Sequence, residues 1–145
     1  MSPTDALTQP LPCPLPTGGT SRLFLFAVRR MGAHGIDDAQ VATQFMTIFG
    51  ADFRRPLILM RVMMTELATV ACTPITIAPC CCTRMTSAEA ALVDIIARID
   101  HHPGVAHALL ADLLGNRRVD GVMATLALVA SAFADAGHPI NRTLR

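Results

Sequence analysis

Three consecutive cysteines, at positions 80–82, are the residues of this sequence best suited by type and spacing to chemistry. They follow Pro79 and precede Arg84 and Thr86, at the expected start of a helix. A nearby cation or helix N-terminus lowers the pKa of a thiol, and the resulting thiolate is a nucleophile and a metal ligand. In this interpretation Arg84 tunes the thiols. The run predicts either a thiol-based site or a packed loop whose cysteines are small buried hydrophobic residues.

The ligands of a metal site follow from the expected backbone of this run. In an extended chain alternate side chains point to the same side, so Cys80 and Cys82 could share one soft transition metal. Cys72, on the preceding helix, is the predicted third ligand. The further candidate ligands are Cys81, His101 and His102. A disulfide between neighbouring cysteines is the redox alternative, and the sequence predicts neither a catalytic residue nor any other cofactor.

The spacing of the cysteines excludes several familiar thiol motifs. No two cysteines are separated by two residues, so neither a zinc ribbon nor a thioredoxin-type motif is present. No glycine lies between Cys80 and Arg84, where a phosphate-binding cysteine loop would need one. The adjacent histidines at 101 and 102 precede a Pro-Gly pair and are typical of a helix C-terminus.

The composition limits the partners of the chain. Hydrophobic residues make up 52% and charged residues 16%, with a net charge of +1 and neither Trp nor Tyr. We therefore expect a large core or an apolar surface covered by a protein partner or a second copy, and no nucleic-acid partner. No apolar run reaches the length of about 18 residues that a spanning helix needs. The first residues do not resemble a secretory signal and the cysteine count is odd, which favours reduced thiols in the cytoplasm.

Helices are the elements that must position the cysteines. Apolar residues recur at three-four spacing, which predicts an all-α bundle of five or six helices. The predicted helices cover about 23–31, 39–49, 56–71, 88–99, 105–114 and 119–136. The third is apolar almost all round and is expected at the centre. An α+β fold with short strands at 23–28 and 75–78 is the alternative.

The ends of these helices carry recognisable signals. Thr20-Ser21 and Asp37 or Asp38 are predicted N-caps, and Thr86-x-x-Glu89 matches a capping box. The arginine doublets at 29–30, 54–55 and 117–118 are expected at helix ends or in loops, where they favour solubility.

The sequence also predicts the domain organisation. Proline alternates with small residues near the N-terminus, which predicts a disordered tail over residues 1–20. A single helical domain is expected over 21–140, and a short C-terminal tail over 141–145.

Three segments resemble a small bacterial family known only as a domain of unknown function. They are Arg54-Arg55-Pro56-Leu57, the Pro-Cys-Cys-Cys-x-Arg-Met-Thr run within 78–86, and the segment Ala132–Pro139. The likeness spans about 21–140, and the triple cysteine is its specific part. This resemblance implies no activity and transfers no catalytic residue.

Two function classes remain open from the sequence. The first is a non-enzymatic helical interaction or regulatory module, self-associating or bound to another protein, whose cysteines are structural. The second is a thiol-based protein that binds a soft metal or undergoes redox change at Cys80–Cys82.

Overall fold

The structure, a computed structural model, describes residues 11–140 as six α-helices with one short pair of strands. The elements are β1 (Cys13–Pro14), α1 (Gly19–His34), α2 (Ala39–Phe49), a 3₁₀ turn (Gly50–Asp52), α3 (Arg54–Val70), β2 (Arg84–Met85), α4 (Ser87–Arg98), α5 (Pro103–Leu114) and α6 (Asp120–Asp135). The predicted all-α bundle is confirmed. The outer parts of both predicted tails, residues 1–10 and 141–145, lie outside the described residues. That 21–140 form a single domain stays a prediction.

Two of the three predicted N-caps are present. Asp38 accepts a hydrogen bond from the Val41 backbone N–H and so caps α2. Thr86 and Glu89 form both hydrogen bonds of the predicted capping box at α4. The prediction that Thr20-Ser21 caps α1 is wrong, because Gly18 occupies the cap position without a side-chain bond and Ser21 is buried.

The hydrophobic core joins all six helices. Phe45, Phe49 and Phe133 meet edge to face, with ring centroids 5.1–5.8 Å apart. This is the geometry that the quadrupoles of aromatic rings favour. None of the helices within 11–140 is both long and apolar enough to cross a bilayer.

The predicted central helix, α3, is buried on one face and exposed on the other. Met60 and Met63 are fully buried, whereas Ile58 and Val62 are 55% and 40% exposed. The central position that the sequence predicts for α3 therefore leaves one of its faces exposed. Apolar residues all round a helix do not show which of them the neighbouring helices will cover, because the core covers only as many faces as have partners.

The strands of the alternative α+β prediction are absent from the described part of the chain. Residues 23–28 lie within α1, and 75–78 form an extended connector between α3 and α4 that pairs with no strand there. Apolar runs of this length do not distinguish a strand from a buried helix, and burial on nearly every side of α1 explains its run.

The sequence predicts a disordered tail over residues 1–20, but residues 11–18 of it are ordered and lie against the helical bundle. Cys13 and Pro14 pair antiparallel with Met85 and Arg84. Arg84 donates from Nε to the Leu11 carbonyl at 2.7 Å and from Nη2 to the Pro12 carbonyl at 3.0 Å. Proline lacks an N–H but keeps its carbonyl acceptor, so arginine side chains can hold a proline-rich segment.

Candidate functional site

The three cysteines lie on a tight turn between the connector and α4. The Cys82 N–H donates to the Pro79 carbonyl at 3.0 Å, and Cys80 and Cys81 form the corner of the turn. The expectation that extended backbone directs Cys80 and Cys82 to one side is therefore wrong. The backbone instead reverses direction across the three cysteines.

The thiols of this turn face solvent. Cys80 and Cys81 are exposed and Cys82 is half-buried, and all three are free. The packed-loop alternative, in which these cysteines are small core residues, does not fit Cys80 and Cys81, which are exposed. Unpaired cysteine is among the residue types most often buried, so two adjacent exposed cysteines call for an explanation other than packing.

A buried ion pair fixes the loop that carries the thiols. Arg29 of α1 is 3% exposed and Glu89 of α4 is 1% exposed. Arg29 donates to both carboxylate oxygens, from Nε at 2.7 Å and from Nη2 at 3.1 Å. The same guanidinium donates from Nη1 to the Cys82 carbonyl at 2.9 Å and from Nη2 to the Arg84 carbonyl at 2.8 Å. One side chain thus binds both the acid and the backbone of the loop.

Glu89 holds the two ends of the same loop. Its carboxylate accepts from the Ala78 N–H at 3.2 Å and from the Thr86 N–H at 2.8 Å. Thr86 in turn donates from Oγ1 to the Thr76 carbonyl at 2.7 Å. Residues 78 and 86 are therefore both bound to the Glu89 carboxylate, which fixes the two ends of the segment that contains the cysteine turn.

The ionisation of Glu89 is set by opposing influences. Burial is the largest of them and raises the pKa of the carboxyl group. Hydrogen bonds from Arg29, Thr86 and Ala78, together with the charge of Arg29, outweigh burial and leave the pKa of Glu89 below its ordinary value. The loop is therefore anchored on a carboxylate, not on a neutral acid.

Arg84, the predicted tuning residue, is engaged with the N-terminal segment. Its guanidinium donates to the Leu11 and Pro12 carbonyls. A role for Arg84 in tuning the thiols stays a prediction.

Another cation, Arg30, lies within electrostatic range of Cys80. The pKa of Arg30 is raised chiefly by its hydrogen bond to Asp38, with a smaller contribution from Cys80.

The other predicted metal ligands lie elsewhere on the surface. Cys72 is exposed beyond the end of α3, where its N–H donates to the Leu114 carbonyl at 2.7 Å. His101 and His102 are exposed between α4 and α5. Within residues 11–140 no three side chains of His, Cys, Asp or Glu are grouped so as to hold a metal ion. A metal site built from Cys80, Cys82 and Cys72 stays a prediction.

Arg29 and Glu89 are the residues that sequence reasoning missed. Arg29 was expected at a solvated helix end, but it lies in the body of α1, four residues after the buried Leu25. A charge in register with an apolar stripe signals a buried group that needs a partner. Glu89 was recognised only as part of the capping box, although that motif occupies one of its two carboxylate oxygens.

An apolar pocket of about 520 Å³ lies beside the connector. Its walls come from α1, α3, α4 and residues 71–77, and Cys72 lies among them. Ile77 reaches across to Gly32 of α1, where a Cβ would come within 2.3 Å of the Ile77 Cδ1 atom. The absence of a side chain at Gly32 thus lets the connector approach α1 just before the cysteine turn.

Comparison with known proteins gives a family match. Residues 3–132 match a family model described as Family of unknown function (DUF6628). No curated protein and no solved structure shows significant similarity to the chain. The resemblance to a family of unknown function is thereby confirmed, while its bacterial origin and the specificity of the cysteine run stay predictions.

Proposed function

The chain belongs to the DUF6628 family, and we propose that it is a thiol-based protein that binds a soft metal ion at the surface turn Cys80–Cys82. The observation that carries this proposal is a run of three free cysteines, two exposed and one half-buried, on a loop anchored by a buried ion pair. Thiolates prefer soft ions such as Cu(I). We propose no catalytic residue, and place the protein among carriers or sensors of the cytoplasm.

The anchoring of the loop supports a metal-binding role for the three cysteines over the alternative that they lie on the surface without a function. A loop held at both ends pays little ordering entropy when its side chains engage a ligand. Arg29 and Glu89 supply this order without touching the thiols, since their bonds go to backbone groups of the loop. The sulfur atoms are left free to bind.

Equilibrium titration with Cu(I) under reducing, anaerobic conditions tests the proposal. We expect the full chain to compete with a chromogenic chelator for Cu(I). The triple variant Cys80→Ser, Cys81→Ser, Cys82→Ser should lose this binding. Cys72→Ser is the matched control, because it removes an exposed thiol outside the turn, and it should bind as the wild type does.

The outcomes separate the alternatives. Binding that depends on Cys72 as well as on the turn would support the three-ligand site predicted from the sequence. Absence of Cu(I) binding, or binding unaffected by the triple variant, would refute the metal proposal. Rapid oxidation of adjacent cysteines in the turn, without metal binding, would favour the redox form of the thiol function.

A second candidate function is a non-enzymatic helical interaction module. The exposed apolar residues on α3 and α6 favour it, because Ile58 and Leu128 are 55% and 48% exposed. A photo-crosslinking amino acid at position 58 should capture a protein in cells, whereas one at Val105 on α5, which is also apolar and is 45% exposed, should not. Equal yields at the two positions, or none at 58, would count against this candidate.

A further inference from the structure

The outer surface of α3 and α6 is a charge-bordered apolar face. The two helices run antiparallel and are linked near each end of the contact. Arg55 Nη1 lies 2.8 Å from Asp135 Oδ2, and Thr125 Oγ1 donates to Glu66 Oε1 at 2.8 Å. This register, with 55 opposite 135 and 66 opposite 125, places Val62 opposite Leu128.

Along this pair of helices most of the exposed side chains near the links are apolar or small, and the hydroxyl of exposed Thr65 donates to the Arg61 carbonyl of its own helix. Ile58, Val62 and Leu128 are 55%, 40% and 48% exposed, and Ala124 and Ser131 are exposed beside them. We call these five residues the α3–α6 face. The one charged residue of α3 between Arg55 and Glu66 is Arg61, which turns away and donates to the Ile36 carbonyl.

We propose that a second copy of this chain covers the α3–α6 face, so that α3 and α6 of both copies form a four-helix bundle. The inference rests on the second candidate function and names its partner. It depends on the charge pattern of α3, which has Arg55 at one end of the face and Glu66 at the other.

That pattern is self-complementary along α3, and each of the two charges also keeps a partner within its own chain, Asp135 for Arg55 and Thr125 for Glu66. Arg55 and Glu66 are separated by about 16 Å along the helix axis. A two-fold axis that crosses α3 at right angles between Met60 and Arg61 brings Arg55 of one copy opposite Glu66 of the second. The same rotation brings Ile58 beside Val62. An isologous interface needs just this property, that a surface matches itself after a half-turn.

The size of the face suits a small dimer. α3 has 17 residues and is therefore about 25 Å long, and two helices side by side are about 20 Å wide. The α3–α6 face between Arg55 and Glu66, about 16 Å long, covers roughly 320 Å² per copy. Over the whole length of α3 the two helices cover roughly 500 Å² per copy, or about 1,000 Å² in total, which is at the lower limit of specific interfaces. We therefore expect a reversible dimer whose population depends on concentration.

Sedimentation equilibrium of the full chain, kept reduced to prevent disulfides between surface cysteines, tests this inference. The wild type should approach twice the monomer mass of 15.5 kDa as its concentration rises. Val62→Asp and, independently, Leu128→Asp should remain monomeric. Val105→Asp, an equivalent change on α5 outside the face, should behave as the wild type, with circular dichroism verifying the fold of each variant.

The outcomes are distinct from those of the second candidate function. A wild type that stays monomeric, or a folded Val62→Asp and Leu128→Asp pair that still dimerises, overturns the inference. Photo-crosslinks from position 58 to a different protein, with a monomeric wild type, overturn the second copy as partner but leave the interaction module standing. Crosslinks to the chain's own copy, lost on Leu128→Asp, support the dimer.

Discussion

Arg29 and Glu89 connect the interior of the bundle to its thiol surface. Each is buried, and each forms hydrogen bonds with the other and with backbone groups of the cysteine loop. A buried charge that loses its partner remains unpaired in a medium of low polarity. The pair is therefore worth more as an anchor than a typical surface ion pair.

Removing one member of the pair should be costly. We expect Arg29→Met to lower the free energy of unfolding by about 3–5 kcal/mol, because Glu89 is left buried and the Cys82 and Arg84 carbonyls lose their donor. Arg55→Met breaks an ion pair whose side chains are 52% and 67% exposed, and should cost less than about 1 kcal/mol. Urea unfolding followed by circular dichroism measures both, and equal losses would contradict an anchoring role for Arg29.

The same carboxylate predicts a pH dependence. The pKa of Glu89 is lower in the folded than in the unfolded state, so its contribution to stability is full above the unfolded pKa of about 4.3 and is lost as the pH falls through the folded pKa. Glu89→Gln should therefore flatten the decline of stability below about pH 4.3. Unfolding curves across the acid range check this, and wild type and variant with the same acid slope would exclude Glu89 as the source.

These two residues also show where sequence reasoning stops. The capping box was predictable because Thr86 and Glu89 are three residues apart and the motif is local. The bond from Arg29 to Glu89 spans 60 positions, and no local pattern identifies which charge will meet which. The exposure of the thiols was equally beyond prediction, because it depends on a turn hydrogen bond and not on residue type.

At the scale of elements, the connector between α3 and α4 determines where the cysteines lie. The residues that lead into it are held at the end of α5, where Thr73 donates from Oγ1 to the Leu113 carbonyl at 3.1 Å and Asn116 donates from Nδ2 to the Val70 carbonyl at 3.1 Å. Its last residues are held by Glu89. The six helices themselves were predictable from apolar spacing and caps, whereas the course of this connector comes from contacts distant in sequence.

Gly115 gives this arrangement a specific test. It ends α5 with a φ of +62°, and a Cβ there would lie 2.9 Å from Thr73 Cγ2. We expect Gly115→Ala to cost about 1–2 kcal/mol through backbone strain and displacement of Thr73. Gly121→Ala in α6, where no neighbour lies within 4 Å of the added carbon, should be neutral or stabilising by up to about 1 kcal/mol. Thermal unfolding compares them, and a Gly115→Ala protein as stable as the wild type would contradict this role.

At the scale of the whole molecule, two surfaces are distinct. The cysteine turn lies at the end of the connector, and the α3–α6 face lies on helices that do not contribute to the loop's anchors. The helical fold and the high apolar content were evident in the sequence. The division of apolar residues between core and exposed face was not, because it depends on which helices become neighbours.

The two surfaces should act independently. Val62→Asp, which disrupts the α3–α6 face, should leave the Cu(I) affinity of the cysteine turn unchanged, since the hydrogen bonds of Arg29 and Glu89 go to α4 and to the cysteine loop and not to α3. Titration of this variant beside the wild type measures the coupling. A large change in affinity would mean that dimerisation helps to form the thiol site.

The most direct test of a soft-metal site at Cys80–Cys82 is site-resolved alkylation of the reduced chain, read by mass spectrometry with and without Cu(I). We predict that the three cysteines of the turn react readily without metal and are protected by stoichiometric Cu(I). Exposed Cys72 should react at the same rate in both conditions. If Cu(I) leaves the turn unprotected, or protects Cys72 while the turn still reacts, the proposed site is wrong.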